Sequence, residues 1–181
     1  GNRIRKMGVM LRPEWLTLLL LFTSGAHAAV AQKTFKVSAQ ITAGCALGAG
    51  DGSQTTDFGT LNFGTLSSLY SNVDVASTAG AGSIIVTCTP GTAISIALDY
   101  GVNGGSATQR YMSNGNSSTL AYQLYQDANR ANVWGSSTLA LSVASFPSTT
   151  QTYTVYGRLF ATNGFPAVGS YTDTVTVTLT Y

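Results

Sequence analysis

The sequence predicts an all-β sandwich, and three observations carry that expectation. Strictly alternating stretches lie near both ends of the chain. Phe35, Val37, Ala39 and Ile41 alternate with Lys36, Ser38 and Gln40, while Val175, Val177, Leu179 and Tyr181 alternate with Thr174, Thr176, Thr178 and Thr180. That is the period-2 pattern of strands with one buried face. Threonine, serine, glycine and β-branched residues dominate, and no stretch of useful length has helical spacing. Turn signals recur about every 10 to 15 residues, as in a chain that reverses between short strands.

The chain opens on a different pattern. Arg3, Arg5, Lys6 and Arg12 precede an apolar run over residues 15–22, and Ala26-His27-Ala28 follows. This is the plan of a secretory signal with an A-x-A cleavage site, so residues 1–28 are expected to be removed. Residue 1 is Gly, which leaves Met7 and Met10 as candidate initiators. The apolar run is far shorter than the roughly 20 residues of a membrane-spanning helix, no other stretch comes close, and no membrane anchor is expected. Removal leaves 181 − 28 = 153 residues, a size that supports one domain with its own core.

Removal also reverses the charge. The mature chain keeps Lys33, Lys36, Arg110, Arg130 and Arg158 against Asp51, Asp57, Asp74, Asp99, Asp127 and Asp173, so 5 − 6 = −1, whereas the full chain carries +2. The excess of cations belongs to the leader. With no basic cluster in what remains, nucleic acid is not an expected partner.

Taken in order, the first strand-like stretch, residues 35–41, is separated from Cys45 by Thr42-Ala43-Gly44, and residues 46–56 read as a glycine-rich loop. Residues 57–66 repeat an aromatic-Gly-Thr-Leu unit, whose glycines suggest bulges or kinks rather than one flat strand. Residues 83–89 form a candidate buried strand ended by the turn Pro90-Gly91, and residues 93–100 point Ile94, Ile96 and Leu98 inward. Residues 101–105 form a loop. Residues 119–126 set Leu120, Tyr122 and Leu124 on one face before Asp127-Ala128-Asn129 turns the chain. Residues 139–143 and 152–161 supply two more strands, the second broken by a bulge at Gly157, and a turn at residues 163–166 precedes the final alternating run.

The two alternating ends define the functional expectation. A sandwich whose last strand has nothing after it to cover its edge, and a spare strand with an apolar face, are read most economically as strand addition between chains. Two cysteines, Cys45 and Cys88, remain in an exported chain. The simplest state is a bond between them, set against two free buried thiols. A loop of 88 − 45 = 43 residues would contribute about 4 kcal/mol in the chain-entropy picture.

The chemistry of catalysis is absent from the mature sequence. The one histidine, His27, leaves with the signal, which removes any histidine-based triad or proton shuttle, and with it metal ligation by histidine. Residues 51–57, D-G-S-Q-T-T-D, lack the downstream glutamate of an EF-hand loop and read as a solvated loop rather than a calcium site. A carboxylate pair for glycoside hydrolysis would have to come from six aspartates on separate turns. No enzymatic activity, cofactor or metal is expected. Nine tyrosines and Trp134 raise the alternative of a sugar-binding face, but Tyr122, Tyr153 and Tyr156 fall inside strands, where aromatics suit a half-buried pleated surface.

Several stretches converge on one family: A-G-C at residues 43–45, F-G-T-L-N-F-G, I-I-V-T-C, A-Y-Q-L-Y-Q-D-A-N-R, T-V-Y-G-R-L and the closing G-S-Y-T-D-T-V-T-V-T-L-T-Y. Together they resemble the spore coat protein U domain family, and within it the Csu-type subunits of archaic chaperone-usher pili, across essentially the whole mature chain. The resemblance implies an incomplete immunoglobulin-like sandwich that lacks its last strand and is completed by the N-terminal segment of a neighbouring subunit. Its expected partners are copies of itself or related subunits, a periplasmic chaperone that lends a strand, and an outer-membrane usher that catalyses the exchange. Its place is a surface fimbrium supporting adhesion and biofilm formation. Carried onto this sequence, the donor strand falls on Phe35, Val37, Ala39 and Ile41, the disulfide on Cys45 and Cys88, and the acceptor edge on Val175, Val177, Leu179 and Tyr181. Residues 29–44 are then the donor segment and residues 45–181 the pilin-like domain, a single domain as expected of a shaft subunit. Ala39 departs from the pattern by being small where a groove pocket favours a larger apolar side chain. A surface or spore coat protein is the alternative within the family, and a secreted carbohydrate-binding sandwich the alternative outside it. Processing offers a first check: intact-mass measurement on exported protein should give a chain that begins at Ala29, and a form retaining Trp15 would contradict the leader assignment.

Overall fold

The computed structural model describes residues 28–48 and 57–181. The leader, apart from Ala28, and the loop at residues 51–57, apart from Asp57, lie outside the described residues. The chain divides into an N-terminal unit ending at Gln40 and a domain over Ile41–Tyr181. In the first unit, residues 28–40 form no regular element and every residue is exposed. The expected strand over residues 35–41 therefore has no ladder, because a period-2 pattern supplies a face but not the neighbouring strand that a ladder requires.

The domain is all-β. Its strands are β1 (Cys45–Leu47), β2 (Val73–Ala76), β3 (Ile84–Cys88), β4 (Ile94–Leu98), β5 (Arg110–Ser113), β6 (Thr119–Tyr125), β7 (Leu141–Val143), β8 (Gln151–Tyr153), β9 (Tyr156–Leu159) and β10 (Val177–Thr180). A single 3-10 turn, Ser137–Leu139, is the only helical element among the described residues. Three sheets result, with strand orders β1-β3-β8, β10-β4-β7 and β2-β9-β6-β5. Each ladder between named strands is antiparallel.

β3 and β4 explain how the sheets share one core. In both, every second residue is buried: Ile84, Val86 and Cys88 in β3, and Ile94, Ile96 and Leu98 in β4. The turn between them moves the chain from one sheet to another, so the two apolar faces meet as in a sandwich. Leu120, Tyr122 and Leu124 of β6 and Leu159 of β9 close the same cluster, with Trp134 and Phe146 from the loops. Trp134 is 1% exposed and its indole N–H donates to Ile96 O at 2.9 Å. It is therefore a core residue and cannot stack on a sugar.

Several details differ from the sequence reading. Ala46 and Leu47 belong to β1 rather than to the loop, since Cys45 pairs directly with Cys88 and carries its neighbours into register; a three-residue strand is too short to show a period. Residues 152–161 are not one strand. β8 pairs with β3, β9 pairs with β2 and β6, and the change of sheet falls at Thr154-Val155. The strand expected over residues 139–143 begins at Leu141, after the 3-10 turn. β2 and β5 are two further strands, of four residues each, beyond those expected from the sequence.

The repeat at residues 57–66 forms no strand at all. Its two halves make the same turn: Gly59 N donates to Asp57 Oδ1 and Gly64 N to Asn62 Oδ1, both at 2.8 Å, with positive φ at Gly59 (86°) and Gly64 (97°). These turns bring Phe58, Leu61 and Phe63 down onto the core. Gly157 is likewise not a bulge, because it sits within β9 opposite Val75 on one side and Leu124 on the other. Its role is clearance. A Cβ there would stand 2.9 Å from both Leu61 Cδ2 and Phe63 Cζ.

The choice between a bulge and a close approach can be measured. Gly157→Val adds a residue with good strand propensity, yet overpacking against Leu61 and Phe63 should destabilise the domain by about 1–3 kcal/mol in urea unfolding. A neutral or stabilising result would contradict the packing described.

Candidate functional site

The structure joins Cys45 and Cys88 through a disulfide, with Cα atoms 4.0 Å apart. Thr89 secures the residue before the bridge: its N–H donates to Gly44 O at 2.9 Å and its Oγ1 accepts from Gly44 N at 3.1 Å. The residue before the first cysteine is thus held to the end of β3 through both its N–H and its carbonyl.

The sequence-predicted acceptor edge falls on β10 and the residues beside it. β10 ends its sheet, with Val177 opposite Leu98 and Leu179 opposite Ile96. Val175, Val177 and Leu179 are half-buried and pack on the core, while Thr174, Thr176, Thr178 and Thr180 are exposed. Tyr181 keeps the same parity but is 63% exposed. At the other end of the domain's chain, β1 also ends its sheet, and Cys45 and Leu47 are half-buried against the same core. An edge strand of this kind presents unpaired N–H and C=O groups beside an apolar surface, which is what an added strand recognises.

The ladder of β10 is shorter than the alternation that predicted it. Residues 171–176 lead in by other means: Thr172 bridges Ser113 of β5, and the carboxylates of Asp99 and Asp173 carry the rest. Asp99 Oδ1 accepts from Thr176 N at 2.8 Å and from Gly101 N at 3.1 Å. Asp173 Oδ1 accepts from Val102 N at 2.9 Å, and its Oδ2 accepts from the buried Tyr122 hydroxyl at 2.5 Å. Asn103 Nδ2 lies 3.1 Å from Thr172 O, Tyr111 O and Asp173 Oδ1. Burial, then the hydrogen bond to Asp173, push the Tyr122 phenol far above its ordinary range.

Beneath this anchor lies a buried cation that sequence reasoning had counted only as a charge. Arg110 is 0% exposed. Its Nη1 donates to Gln123 Oε1, its Nε and Nη2 donate to Asp99 O, and Nη2 also donates to Trp134 O at 2.9 Å. The guanidinium lies 5.0 Å from the centroid of the Tyr100 ring. Burial lowers its pKa, and the neighbouring Tyr122, Tyr100, Asp99 and Asp173 oppose that shift. Nothing in R-Y-M-S marks Arg110 as interior, because the partners that satisfy it lie on distant segments. A second arginine, Arg130, donates to Gly157 O and Val75 O, each at 3.1 Å, and so ties the β2–β9 pair to the turn after β6.

These features suit a scaffold with an unfinished edge, and comparison with known proteins identifies the group. The Spore Coat Protein U domain profile matches residues 31–178. The chain belongs to the Spore Coat Protein U domain family. It is 32% identical over 175 residues to Protein U of Myxococcus xanthus, covering 90% of this chain and 91% of that one. Among solved structures it is similar to the CsuC–CsuE chaperone-tip adhesion subunit pre-assembly complex from the archaic chaperone-usher Csu pili of Acinetobacter baumannii. That match has a TM-score of 0.51 at 25% identity, covers 78% of this chain, and spans 40% of the length of the neighbour's chain. Family and fold together make this a surface structural protein of the pilus or spore-coat type. Among the described residues, no helix is long and apolar enough to cross a membrane, and no group of acidic, histidine or cysteine side chains is arranged to hold a metal.

The anchor yields a test with a defined sign. Asp173→Ala leaves the Tyr122 hydroxyl and Val102 N–H without their partner and should cost about 1–3 kcal/mol. Because the folded pKa of Tyr122 is raised, its contribution is fully present below the unfolded value of about 10 and is lost as pH rises beyond it. Urea unfolding at successive pH values should show stability falling above about pH 10, and Tyr122→Phe should flatten part of that fall. An unchanged slope in that variant would remove Tyr122 from the account.

Proposed function

We propose that this chain is a structural subunit of a surface pilus that polymerises by donor-strand complementation and exchange, supporting adhesion and biofilm formation. The observation that carries the reading is a match of two unfinished parts. Phe35, Val37 and Ile41 are 88%, 83% and 93% exposed on an alternating segment, and β10 ends a sheet with half-buried apolar residues at the same period. In this reading residues 1–28 are the leader, residues 29–44 the donor segment and residues 45–181 the domain. Phe35, Val37, Ala39 and Ile41 of one subunit then lie along Val175, Val177, Leu179 and Tyr181 of another. Similarity to a chaperone–subunit pre-assembly complex supports a periplasmic chaperone as the first partner, with an outer-membrane usher catalysing exchange to the next subunit. Export through the periplasm to the cell surface follows from the same reading.

Magnitudes favour completion from outside. Burying Phe35, Val37 and Ile41 at about 1.5–3 kcal/mol each gives roughly 5–9 kcal/mol as an upper estimate, comparable to the whole stability of a small domain. Ala39 contributes little and leaves one position of the groove weakly filled, a place where an incoming donor can begin to displace an earlier one. The similarity to Protein U supports a second assembly built from the same exchange, a surface or spore coat. A carbohydrate-binding role loses its main support because Trp134 is interior.

Three variants decide the matter. Deleting residues 29–41 should give a chain that accepts a donor but cannot extend a polymer. Fusing a copy of residues 33–41 after Tyr181 through an Asn-Gly turn, with the native donor removed, should give a thermostable monomer. Val37→Asp within that copy should abolish the gain, since it buries a charge. Size-exclusion chromatography and thermal melting report the result, and equal stability of the truncated and self-complemented chains would defeat the strand-exchange reading.

A further inference from the structure

We propose that the loop surface carrying Tyr70, Phe165 and Val168 is the seat on which the body of the next subunit rests, so that neighbouring subunits touch outside the donated strand as well as through it. The proposal rests on the strand-exchange reading above. Tyr70, Phe165 and Val168 are 58%, 76% and 98% exposed. The rings of Tyr70 and Phe165 meet edge-on, 5.7 Å apart at 90°. The backbone beneath them is a hydrogen-bonded frame: Leu69 N donates to Gly164 O at 2.9 Å, and Thr162 N and Asn163 N donate to Leu69 O at 2.9 and 3.0 Å. Tyr171 Oη closes the far side by donating to Ala167 O at 2.6 Å. Beside the rings lies an open cleft of about 360 Å³ whose wall includes Leu120, Phe165, Pro166 and Tyr171 with Ser118 and Thr119. An apolar patch with a polar rim, held out by a fixed frame, is the form of an interaction surface.

The occupant follows from chain connectivity. Laid antiparallel to β10, as the domain's own strands pair, a donor places Phe35 toward Tyr181 and Ile41 toward Val175. Thr42, Ala43 and Gly44 are all that separate Ile41 from Cys45. The four residue steps from Ile41 to Cys45 span about 14 Å at most, so the donor's body is delivered to the Val175 end of the acceptor edge. There the acceptor presents the segment that leads into its edge, Phe165 through Tyr171, separated from Val175 only by Thr172, Asp173 and Thr174. The surface brought to it is the turn that holds Gly44, namely Thr89, the exposed Pro90 and Gly91. A second copy of this chain therefore meets the patch by the same geometry that seats its donor.

Cysteine labelling of the mature full-length chain tests this directly. Val168→Cys should react with a water-soluble maleimide about ten-fold more slowly in the assembled than in the unassembled fraction, as burial at an interface requires. Asn129→Cys, exposed in the turn after β6 at the opposite end of its sheet, should label equally in both; peptide mapping confirms that Cys45 and Cys88 stay paired. Adding Phe165→Lys to Val168→Cys should leave assembly intact and return the labelling rate to that of unassembled protein. Equal labelling of Val168→Cys in both fractions while polymers form would overturn the proposal and leave the patch open to some other partner, with strand exchange untouched. Polymer growth by the chain lacking residues 29–41 would instead overturn strand exchange, and the seat with it.

Discussion

An antiparallel sheet is stable only where both edges of each strand, and the apolar face beneath them, are accounted for. In this domain each of the three sheets ends in two edge strands, and two of those edges, β1 and β10, belong to the two ends of the domain's chain while resting half-buried on the common core. β3 and β4, each with every second residue buried, are the central strands that carry them, β3 between β1 and β8 and β4 between β10 and β7. The core can therefore be well packed at its centre and still be open at its margin. A surface of that kind lowers its free energy by taking up a further strand, and its own alternation dictates the pattern that strand must have.

The polar interior shows how such a margin is kept in shape. Arg110 donates to the backbone of two loops, at Asp99 and Trp134, and to Gln123 of the neighbouring strand. Asp99 and Asp173 in turn accept from the backbone of the loops and segments that lead into and out of the edge. Breaking one partner of such a network leaves a buried group unsatisfied, which costs more than the bond contributes when intact. The approach to β10 is thus located by hydrogen bonds to the domain, and its apolar side chains, half-buried on the core, stay partly exposed along the sheet's edge. By contrast the Asp74–Arg158 pair, though bidentate at 2.7 and 2.9 Å, lies at the surface and adds little.

Sequence periodicity revealed the parts of this fold that depend on one face of one strand. Ile84 to Cys88, Ile94 to Leu98 and Leu120 to Leu124 each repeat every second residue and each is interior. The final alternation was also legible, although hydrogen bonding divides it between Ser113, Asp99 and β4. What could not be read depends on residues far apart in the chain. Gly157 looks like a bulge until Leu61 and Phe63 are seen lying over it. Residues 57–66 look like kinked strands because the turn made by Asp57 and Asn62 imitates the glycine spacing of a bulge. Arg110 looks like a surface charge because its acceptors come from three separate segments. At the site, the face of β10 was predictable, while the reach of its ladder and the carboxylates that position it were not.

The disulfide has a mechanical meaning beyond its contribution to folding. A pull on the chain at Ile41 reaches the domain through Cys45, and without a covalent bridge it would be resisted only by the three-residue ladder of β1 and the hydrogen bonds around Gly44. With Cys45 bonded to Cys88, the load passes directly into β3, a strand flanked on both sides and interior at Ile84, Val86 and Cys88. A short edge strand is thereby taken out of the line of tension, and the force is carried by a central strand buried at every second residue.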